Sequence, residues 1–343
     1  MKGEWHDKIF SVTERGFRQL ALDIFHFQYG ANKVYSSYVN ALGKTPSDVD
    51  EIEKIPFLPI SFFKTDDIKT GKFNAEVIFK SSGTTQAINS QHHVKDVSIY
   101  TKSFTSAFEK MYGDLNGWCV LGLLPSYLEK GDSSLVYMVD NFIKQSQHAQ
   151  SGFYLYDLDK LRETLLSLER SSQRTLLIGV TYALLDFADK FPPESPDSYR
   201  DREALKNTII METGGMKGRR EELTRMEVHE RLRKAFGNTE IHSEYGMTEL
   251  LSQAYAKREG RFQCPPWMRV LIRDDEDPLT VLMPRLQTVA SISGALNIID
   301  LANVCSCSFI ATDDVGKLYA DKSFEVLGRM DGSDLRGCSL LTV

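Results

Sequence analysis

The chain has few cysteines, no long apolar run and no excess of positive charge, and each absence excludes a class of protein. Five cysteines scattered over 343 residues are an odd number, which is not the pattern of a disulfide framework. The apolar stretch at residues 176–185 is interrupted and too short to span a bilayer. The polar N-terminus lacks the apolar segment of a signal peptide. We therefore expect no membrane span and a location in the reducing cytoplasm.

Positive charge is scarce, since 41 Lys and Arg residues stand against 47 Asp and Glu residues and give a formal net charge of −6. Basic residues do not cluster with aromatic ones, so the sequence does not predict a nucleic-acid-binding surface. Hydrophobic residues make up 42% of the chain and charged residues 26%, which is typical of a globular protein with a large core. We expect small-molecule or protein partners and no nucleic acid.

Apolar strands alternate with amphipathic helices through the middle of the chain. Continuous apolar runs at residues 118–124 and 175–180 are followed by helical patterns, and between them Asp157 follows a short strand at 153–156 and is placed to cap a further helix. This alternation predicts parallel βαβ units covered by helices on both faces. After residue 260 the pattern changes to short strands separated by turns. The predicted fold class is α/β, a core of mainly parallel βαβ units with a small antiparallel β subdomain.

The first 50 residues carry apolar side chains at helical spacing, with a break predicted at Tyr29–Gly30. A further helix is predicted over residues 219–236. The sequence thus predicts three segments, which are a helical N-terminal cap at residues 1–54, an α/β nucleotide and acyl-binding core at 55–258, and a small β subdomain with a C-terminal tail at 259–343.

Small polar residues follow the apolar stretch at residues 76–79, and a helical pattern begins near Val97. The expected order is strand, loop, helix. The missing Cβ of Gly83 lets the backbone approach a ligand, while amides and hydroxyls act as donors, so a phosphate group fits such a loop. The alternative is a plain structural turn. The loop residues are Ser81, Ser82, Gly83, Thr84, Thr85 and Gln86.

Three distant motifs accompany this loop: Thr-Gly-Gly at residues 213–215, Tyr-Gly-Met-Thr-Glu at 245–249, and a tail from Thr312-Asp313-Asp314 through Gly328-Arg329-Met330-Asp331. In this order and spacing the set resembles the core motifs of the adenylate-forming superfamily, the acyl-CoA synthetases, adenylation domains and luciferases that activate carboxylates with ATP. The resemblance runs from about residue 55 to the C-terminus. It implies ATP and Mg²⁺ as cofactors and a carboxylic acid as substrate.

The resemblance also implies roles for individual residues. The loop at residues 81–86 would bind the β- and γ-phosphates, although it lacks the lysine that relatives carry shortly after it. Gly214 and Gly215 would lie against the adenine ring. Tyr245, with Gly246 beside it, would flank the adenine. Thr248 would contact the α-phosphate, and Glu249 would carry Mg²⁺ because a hard cation prefers oxygen ligands.

The acidic pair Asp313–Asp314 is of a kind common in turns, but here it falls on a family motif. By resemblance Asp314 takes the place of the aspartate that accepts both ribose hydroxyls, for which a bidentate carboxylate is well suited. Arg329 would lie on the ribose or α-phosphate side. Asp331 would mark the hinge into a mobile C-terminal domain, which we expect to be missing because twelve residues follow it.

Cys338 lies five residues from the end of the chain and narrows the resemblance to the acyl-protein synthetases of bacterial bioluminescence. These enzymes activate a fatty acid as acyl-AMP and move it to their own cysteine near the C-terminus. A thiolate attacks such a mixed anhydride readily because AMP is a good leaving group. Arg336 nearby would lower the pKa of the thiol. The resemblance implies an acyl-accepting reductase or carrier protein as partner.

Two alternatives stay open on the sequence. One is an acyl-CoA ligase core that takes its C-terminal domain from a second polypeptide and is indifferent to Cys338→Ser. The other is a non-catalytic subunit that holds nucleotide or acyl groups within a complex. Cys264, Cys305 and Cys307 suggest part of a zinc site, but they lack the second close pair that is typical of one.

Overall fold

The computed structural model describes residues 4–82, 88–125, 129–192, 205–214, 223–237, 240–274, 276–282 and 290–330. Contacts divide the described residues into two compact units, each built from separate stretches of chain. The first unit takes residues from Met1–Ala107, Met247–Ala254 and Gln263–Asp334, and the second from Phe108–Gly246 and Tyr255–Phe262. The three segments expected from the sequence stay a prediction.

The described residues form the following elements. The helices are α1 (Glu4–Phe10), α2 (Glu14–Ala31), α3 (Lys33–Ala41), α4 (Phe62–Thr65), α5 (Val97–Tyr112), α6 (Ser134–Ser146), α7 (Leu158–Arg170), α8 (Thr181–Lys190) and α9 (Arg225–Ala235). The strands are β1 (Leu58–Pro59), β2 (Val77–Lys80), β3 (Gln91–Val94), β4 (Cys119–Leu123), β5 (Gly152–Phe153), β6 (Thr175–Val180), β7 (Thr208–Thr213), β8 (Ile241–Tyr245), β9 (Ala254–Ala256), β10 (Met268–Arg273), β11 (Val281–Leu282), β12 (Ser291–Asp300), β13 (Phe309–Tyr319) and β14 (Phe324–Arg329).

The break between the first long helices lies at Asn32, so the prediction of a break at Tyr29–Gly30 is wrong. Helix α2 runs through both of those residues to Ala31. Asn32 is buried, its side chain accepts a hydrogen bond from the Tyr35 amide at 3.1 Å, and its Nδ2 donates to the Ser306 carbonyl at 3.0 Å. The asparagine therefore caps α3 and ties it to the body of the first unit.

The first unit contains a mostly antiparallel sheet with the order β1-β13-β12-β10-β11, and β14 pairs with β13. This agrees with the small antiparallel sheet predicted after residue 260. Its strands are longer than expected, and Asp313 and Asp314 lie inside β13 and not in a turn. Pairing with β14 places Asp314 directly opposite Arg329.

The small polar loop joins two strands, so the predicted order of strand, loop and helix is wrong. Strand β2 pairs antiparallel with β3, which is followed by α5. The Ser81 amide donates to the Ser90 carbonyl at 3.1 Å, and the Ser90 amide donates to the Ser81 hydroxyl at 2.9 Å. These two bonds continue the hairpin beyond Lys80. The strand β3 was missed because it contains His92 and His93 and therefore lacks an apolar run.

The second unit contains a sheet with the order β5-β4-β6-β7-β8-β9, in which β5, β4, β6, β7 and β8 pair in parallel. Strands β4 and β6 are buried at every position, as is typical of parallel strands covered on both faces. The predicted parallel α/β core is thus confirmed. The predicted cap is also confirmed, since the Asp157 side chain accepts from the Lys160 amide at 3.0 Å.

Helix α9 begins at Arg225, so residues 223 and 224 are not part of a helix as predicted, and the predicted start at 219–222 lies outside the described residues. A capping box fixes the start: the Glu227 amide donates to the Thr224 hydroxyl at 3.3 Å, and the Thr224 amide donates to the Glu227 carboxylate at 2.7 Å. Within the described ranges, no helix has the length and apolar character needed to cross a membrane.

Candidate functional site

The site residues predicted from the sequence fall into three groups. Thr248, Glu249, Asp314 and Arg329 lie in the first unit together with Ser81 and Ser82. Gly214, Tyr245 and Gly246 lie in the second unit. The remaining predicted residues are outside the described residues, and these are Gly83, Thr84, Thr85, Gln86, Gly215 and Cys338.

Ser81 and Ser82 lead from β2 toward the small polar loop. The hydroxyl of Ser81 accepts from the Ser90 amide at 2.9 Å and is therefore used within the hairpin, while Ser82 is exposed. Of the two described serines, Ser82 is the one whose surface is open to a ligand.

The Thr248–Glu249 segment is held from two other parts of the first unit. His92 of β3 donates through Nδ1 to the Thr248 carbonyl at 2.8 Å. Asn303, in the 3₁₀ helix Leu301–Cys305, donates through Nδ2 to the Glu249 carbonyl at 2.8 Å. Glu249 itself is fully buried. The segment that carries the predicted metal ligand is therefore fixed by side chains that lie outside the sequence motifs.

His92 is a neutral imidazole in this setting. Burial lowers its pKa to about 4, although the Thr248 carbonyl and the negative charge of Glu249 oppose the shift. Since Nδ1 donates to a carbonyl, the proton of the neutral ring sits on Nδ1 and Nε2 carries a lone pair. His92 lies fully buried in β3.

Asp300 fixes the chain just after Glu249. One carboxylate oxygen accepts from the Leu251 amide at 2.8 Å, and the other accepts from the Ser252 hydroxyl at 2.5 Å and from the Ala302 amide at 3.1 Å. Burial raises the pKa of Asp300 to about 6, while these hydrogen bonds act against the rise. The segment from Thr248 to Ser252 thus has side-chain partners along most of its length.

Asp314 and Arg329 form a buried pair. Arg329 Nε lies 3.5 Å from Asp314 Oδ1, and Arg329 Nη2 donates to Asp313 Oδ2 at 2.9 Å. Arg329 is 7% exposed and Asp314 is 5% exposed. Among the residues that the structure describes, the Nε and Nη1 atoms of Arg329 have no hydrogen-bond acceptor. The pair brings together two residues of separate sequence motifs and leaves buried donors beside a carboxylate.

Arg273 contacts residues next to this pair in the chain, Thr312 and Met330, and the sequence did not point to it. Its guanidinium donates to the Leu296 carbonyl at 2.9 Å, to Asn297 Oδ1 at 3.0 Å and to the Thr312 carbonyl at 2.5 Å. It also contacts the Met330 sulfur at 3.3 Å. A buried arginine at the end of β10 thus joins β12, β13 and the residue after β14. A cation in an otherwise apolar strand pattern was the available signal.

In the second unit, Gly214 and Tyr245 lie at the ends of neighbouring strands. Gly214 follows β7 with a φ of +68°, a conformation that side chains with a Cβ rarely adopt, and its carbonyl accepts from the Thr181 hydroxyl at 2.9 Å. Tyr245 ends β8, is buried, and has its ring centroid 5.7 Å from that of Phe262. Gly246 follows and is half-buried.

A buried polar network lies next to these motifs in the second unit, and the sequence analysis missed it. Glu212 is paired with Arg225 Nε at 3.2 Å and with His229 Nε2 at 3.6 Å, and it accepts from the Thr181 hydroxyl at 3.2 Å. Burial alone would raise the pKa of Glu212, but His229, Arg225 and Ser243 outweigh it and lower the pKa to about 2. Glu212 is therefore a buried anion with its own cationic partners.

Glu244 lies one strand away and behaves in the opposite way. It lies opposite Thr213 in the pairing of β7 with β8, and the Thr213 hydroxyl hydrogen-bonds its carboxyl group. Burial raises the pKa of Glu244 to about 7, and the charge of Glu212 adds to the rise. Two glutamates that directly precede the Thr-Gly-Gly and Tyr-Gly motifs thus have widely separated pKa values.

The described residues contain no group of three or more His, Cys, Asp or Glu side chains placed to hold a metal ion. The suggestion of a zinc site at Cys264, Cys305 and Cys307 therefore has no support among them. Mg²⁺ bound with a nucleotide commonly takes one or two protein carboxylates and completes its shell with phosphates and water. The single buried carboxylate of Glu249 fits that kind of ligand set. The buried donors of Arg329 likewise fit a polyanionic nucleotide.

Comparisons with known proteins bear on these observations. A family model described as "Acyl-protein synthetase, LuxE" matches residues 10–342. No curated protein matches the sequence of this chain.

The solved structures that share its fold include the following three. A 2-hydroxyisobutyryl-CoA ligase in an open conformation, in complex with 2-HIB-AMP and CoA, superposes with a TM-score of 0.66 at 12% identity, covering 93% of this chain and 70% of that chain. The same ligase in its postadenylation state, in complex with 2-HIB-AMP, gives a TM-score of 0.62 at 12% identity, covering 94% and 70%. A malonyl-CoA ligase with methylmalonyl-CoA and AMP bound gives 0.51 at 16% identity, covering 75% and 53%. These likenesses confirm the predicted fold class.

Proposed function

Since this chain belongs to the LuxE acyl-protein synthetase family, we propose that the Thr248–Glu249 segment and the Asp314–Arg329 pair serve the activation of a fatty acid and that Cys338 receives the acyl group. The chain is an ATP-dependent ligase that activates an acid as acyl-AMP. We also propose that Mg²⁺ is the metal and that the protein lies in the cytoplasm.

The observation that carries the proposal is the arrangement of the first unit. It contains a buried carboxylate at Glu249, whose backbone is fixed on both sides, and a buried Arg329 with donors left over after its contacts with Asp313 and Asp314. A protein that binds a magnesium-bearing polyanion needs an oxygen ligand for the cation and donors for the anion. The first unit supplies both kinds of group.

In the first half-reaction a carboxylate oxygen of the acid attacks the α-phosphorus of ATP, and the bond to the bridging oxygen breaks to release pyrophosphate. The Thr248 hydroxyl would donate to the α-phosphate, and Arg329 would stabilise the negative charge that builds there. Asp314 would accept from the ribose hydroxyls. Glu249 would hold Mg²⁺, which when bound supplies charge stabilisation to the phosphates.

Gly214, Tyr245 and Gly246 of the second unit keep the adenine-side role that the family resemblance implies. Gly214 has a positive φ, so a glycine is needed for the backbone to take that conformation at the end of a strand. The loop at residues 81–86 keeps its phosphate role, and Ser82 is its exposed described member. Gly215 keeps the adenine role on the resemblance alone.

In the second half-reaction the thiolate of Cys338 attacks the acyl carbon of acyl-AMP, the bond to the phosphate oxygen breaks, and AMP leaves with the electron pair. The product is a thioester on the protein, and a reductase or carrier protein would take the acyl group from it. Cys338 lies outside the described residues, so this step rests on the sequence and the family. Of the described cysteines, Cys119 is buried and burial raises its pKa to about 11, which disfavours the thiolate that such a step needs.

Intact-mass analysis tests the proposal. The protein is incubated with ATP, Mg²⁺ and acids of increasing chain length, with benzoate as an aromatic comparison, and we expect a hydroxylamine-labile adduct with a fatty acid. Peptide mapping should locate it at Cys338. Cys338→Ser should lose the adduct and keep acid-dependent exchange of pyrophosphate into ATP, while Cys305→Ser should keep both.

Two results would contradict the acyl-transfer step. One is an adduct that maps to another residue. The other is a turnover that requires coenzyme A and is unchanged in Cys338→Ser, which would favour an acyl-CoA ligase. Absence of pyrophosphate exchange with every acid would contradict the proposed activation step itself.

A further inference from the structure

Two side chains from separate parts of the first unit bind consecutive carbonyl groups of the Tyr-Gly-Met-Thr-Glu motif. His92 of β3 donates to the Thr248 carbonyl, and Asn303 of the 3₁₀ helix Leu301–Cys305 donates to the Glu249 carbonyl, both at 2.8 Å. His92, Asn303 and Glu249 are all fully buried. Both donors are therefore shielded from water, and each binds its carbonyl directly.

The position of these two bonds has a geometric consequence. The Thr248 carbonyl lies in the peptide plane before the Glu249 Cα, and the Glu249 carbonyl lies in the plane after it. Because each peptide unit is planar, the only soft torsions between the two planes are φ and ψ of Glu249. Fixing both carbonyls fixes these torsions, and with them the direction in which the Glu249 side chain leaves the backbone.

Among the residues that the structure describes, neither donor side chain makes a second hydrogen bond. The Nε2 atom of His92 and the Oδ1 atom of Asn303 are buried and have no hydrogen-bond partner there. The histidine ring packs edge-on against Phe63, with centroids 5.8 Å apart, which fixes its plane. The neighbouring His93 is different, since its Nε2 lies 3.1 Å from Asp67 and it does not contact the motif.

We propose that His92 and Asn303 are positioning residues, which orient Glu249 and Thr248 toward the magnesium ion and α-phosphate of ATP. This inference rests on the proposed function of Thr248 and Glu249. A displacement of about 1 Å at a reacting group can lower the rate by about a hundredfold. The two hydrogen bonds that set the side-chain direction of Glu249 therefore have a large effect on adenylation, although neither donor contacts the nucleotide.

Two histidine variants separate the donor from the bulk of the ring. In His92→Asn the amide nitrogen falls near the position of Nδ1 and keeps a donor for the Thr248 carbonyl. In His92→Gln the amide falls near the position of Nε2 and loses that bond. Asn303→Leu removes the second donor at similar size. His93→Gln is the matched control, since it changes the adjacent residue of the same strand.

Each variant is assayed by acid-dependent exchange of pyrophosphate into ATP, with kcat and KM for ATP measured over a range of Mg²⁺ concentrations. The second readout is the rise in melting temperature caused by ATP, with Mg²⁺ or with EDTA. We expect His92→Gln and Asn303→Leu to lower kcat by about tenfold to a hundredfold, to require more Mg²⁺ and to lose the Mg²⁺-dependent part of the thermal shift. His92→Asn and His93→Gln should stay near wild type.

The inference is overturned if His92→Gln and Asn303→Leu keep the wild-type kcat, Mg²⁺ requirement and thermal shift. It is also overturned if His92→Asn loses as much as His92→Gln, because the donor would then not be what matters. If His92→Gln fails to fold, the comparison of His92→Asn with Asn303→Leu decides by the same criteria. A wild-type protein that shows neither exchange nor a Mg²⁺-dependent shift overturns the proposed function and this inference together, whereas an active wild type with unchanged variants overturns only the inference.

Discussion

Asp314 and Arg329 lie directly opposite each other on β13 and β14, with Arg329 Nε 3.5 Å from Asp314 Oδ1. The neighbouring Asp313 accepts from Arg329 Nη2 at 2.9 Å, and the Asp313 carbonyl accepts from the Met330 amide at 2.9 Å. Two residues that stand in different sequence motifs are thus neighbours in one antiparallel pair. Both are buried, so the positive charge of Arg329 compensates the negative charge of Asp314 away from water.

The first prediction concerns Arg329→Gln. This change leaves the buried Asp314 without its cationic neighbour, and we expect a loss of about 3–5 kcal/mol in the free energy of unfolding, the usual cost of breaking a buried pair. We also expect weaker ATP binding, because the unused donors are removed. Urea denaturation and titration calorimetry with ATP measure the two effects.

Arg329→Lys is the control, since it keeps the charge and loses the planar fork. It should recover part of the stability and little of the ATP affinity. An unchanged dissociation constant for ATP in a folded Arg329→Gln protein would show that Arg329 is structural only.

The second prediction concerns Arg273→Met. The arginine joins β12 to β13, and its removal leaves the buried Thr312 carbonyl and the buried Asn297 Oδ1 without that donor. The Leu296 carbonyl keeps the Thr312 hydroxyl at 2.9 Å. Each unsatisfied buried acceptor costs about 1–3 kcal/mol. We expect a loss of that size in urea denaturation, with Arg269→Met, a half-buried arginine on the same strand, as comparison. Equal stability of Arg273→Met and wild type would contradict the bridging role.

Much of the fold follows from the local pattern of apolar residues. Strands β4 and β6 are continuous apolar runs that stay buried at every position, and Asp157 caps α7 as its position suggested. In these places the local structural preference and the tertiary environment agree, so the sequence alone is sufficient to predict the element.

Other features depend on contacts between distant residues. Strand β3 is hidden by His92 and His93, whose burial follows from pairing with β2, and the strand at Asp313–Asp314 follows from pairing with β14. Helix α2 continues past Gly30 because the buried Asn32 is the residue that caps the next helix. Pairing of this kind overrides local turn preference, and the spacing of residues along the chain does not show it.

The candidate site likewise contains residues that the sequence predicts and residues that only the tertiary structure reveals. The residues of the Tyr-Gly-Met-Thr-Glu motif could be found from the sequence, since motif order shows them. Their supports, His92 and Asn303, could not, because they come from β3 and from the 3₁₀ helix after β12. A histidine pair next to a small polar loop was the only local signal of one of them.

The third prediction concerns Gly214→Ala. Gly214 has a φ of +68°, where a Cβ costs about 1–2 kcal/mol. We expect a loss of that size in unfolding free energy and a higher KM for ATP if the glycine lies against the adenine. Gly152→Ala is the control, since Gly152 has an ordinary φ and its added Cβ meets only the Tyr154 ring at 3.9 Å. An unchanged KM for ATP in Gly214→Ala would contradict the adenine-side assignment.

The fourth prediction concerns the acid side of the stability curve and Glu212. His229, Arg225 and Ser243 overcome burial and lower the folded-state pKa from 4.5 to about 2. A lowered carboxyl pKa contributes stability above pH 4.5, and this contribution is lost as the pH falls toward 2. It amounts to roughly 3 kcal/mol. Glu212→Gln should therefore show a shallower loss of stability between pH 4.5 and 2 than wild type in urea denaturation.

The control for Glu212 is Glu230→Gln, an exposed glutamate on α9. Its acid denaturation curve should follow that of wild type more closely than the Glu212→Gln curve does. Curves for Glu212→Gln and wild type that stay parallel over this pH range would contradict the role of Glu212 as a stabilised anion.

The last prediction has the opposite sign and concerns Glu244. Burial, with the charge of Glu212 nearby, raises its folded-state pKa from 4.5 to about 7. A raised pKa means that the folded protein binds the proton more tightly than the unfolded chain, so this contribution is complete below pH 4.5 and is lost as the pH rises through 7. The loss is roughly 3 kcal/mol. Glu244→Gln keeps an uncharged group at this position, so the variant should not show this loss of stability.

Urea denaturation is measured at pH 5 and at pH 8. From pH 5 to pH 8 the unfolding free energy of wild type should fall more than that of Glu244→Gln, and the variant should be the more stable protein at pH 8. Glu240→Gln is the control, because Glu240 is exposed and paired with Arg233 at 2.9 Å on the surface. If Glu244→Gln and wild type change in parallel between the two pH values, Glu244 is already ionised at pH 5. The buried Thr213–Glu244 contact would then hold a carboxylate, beside the charge of Glu212.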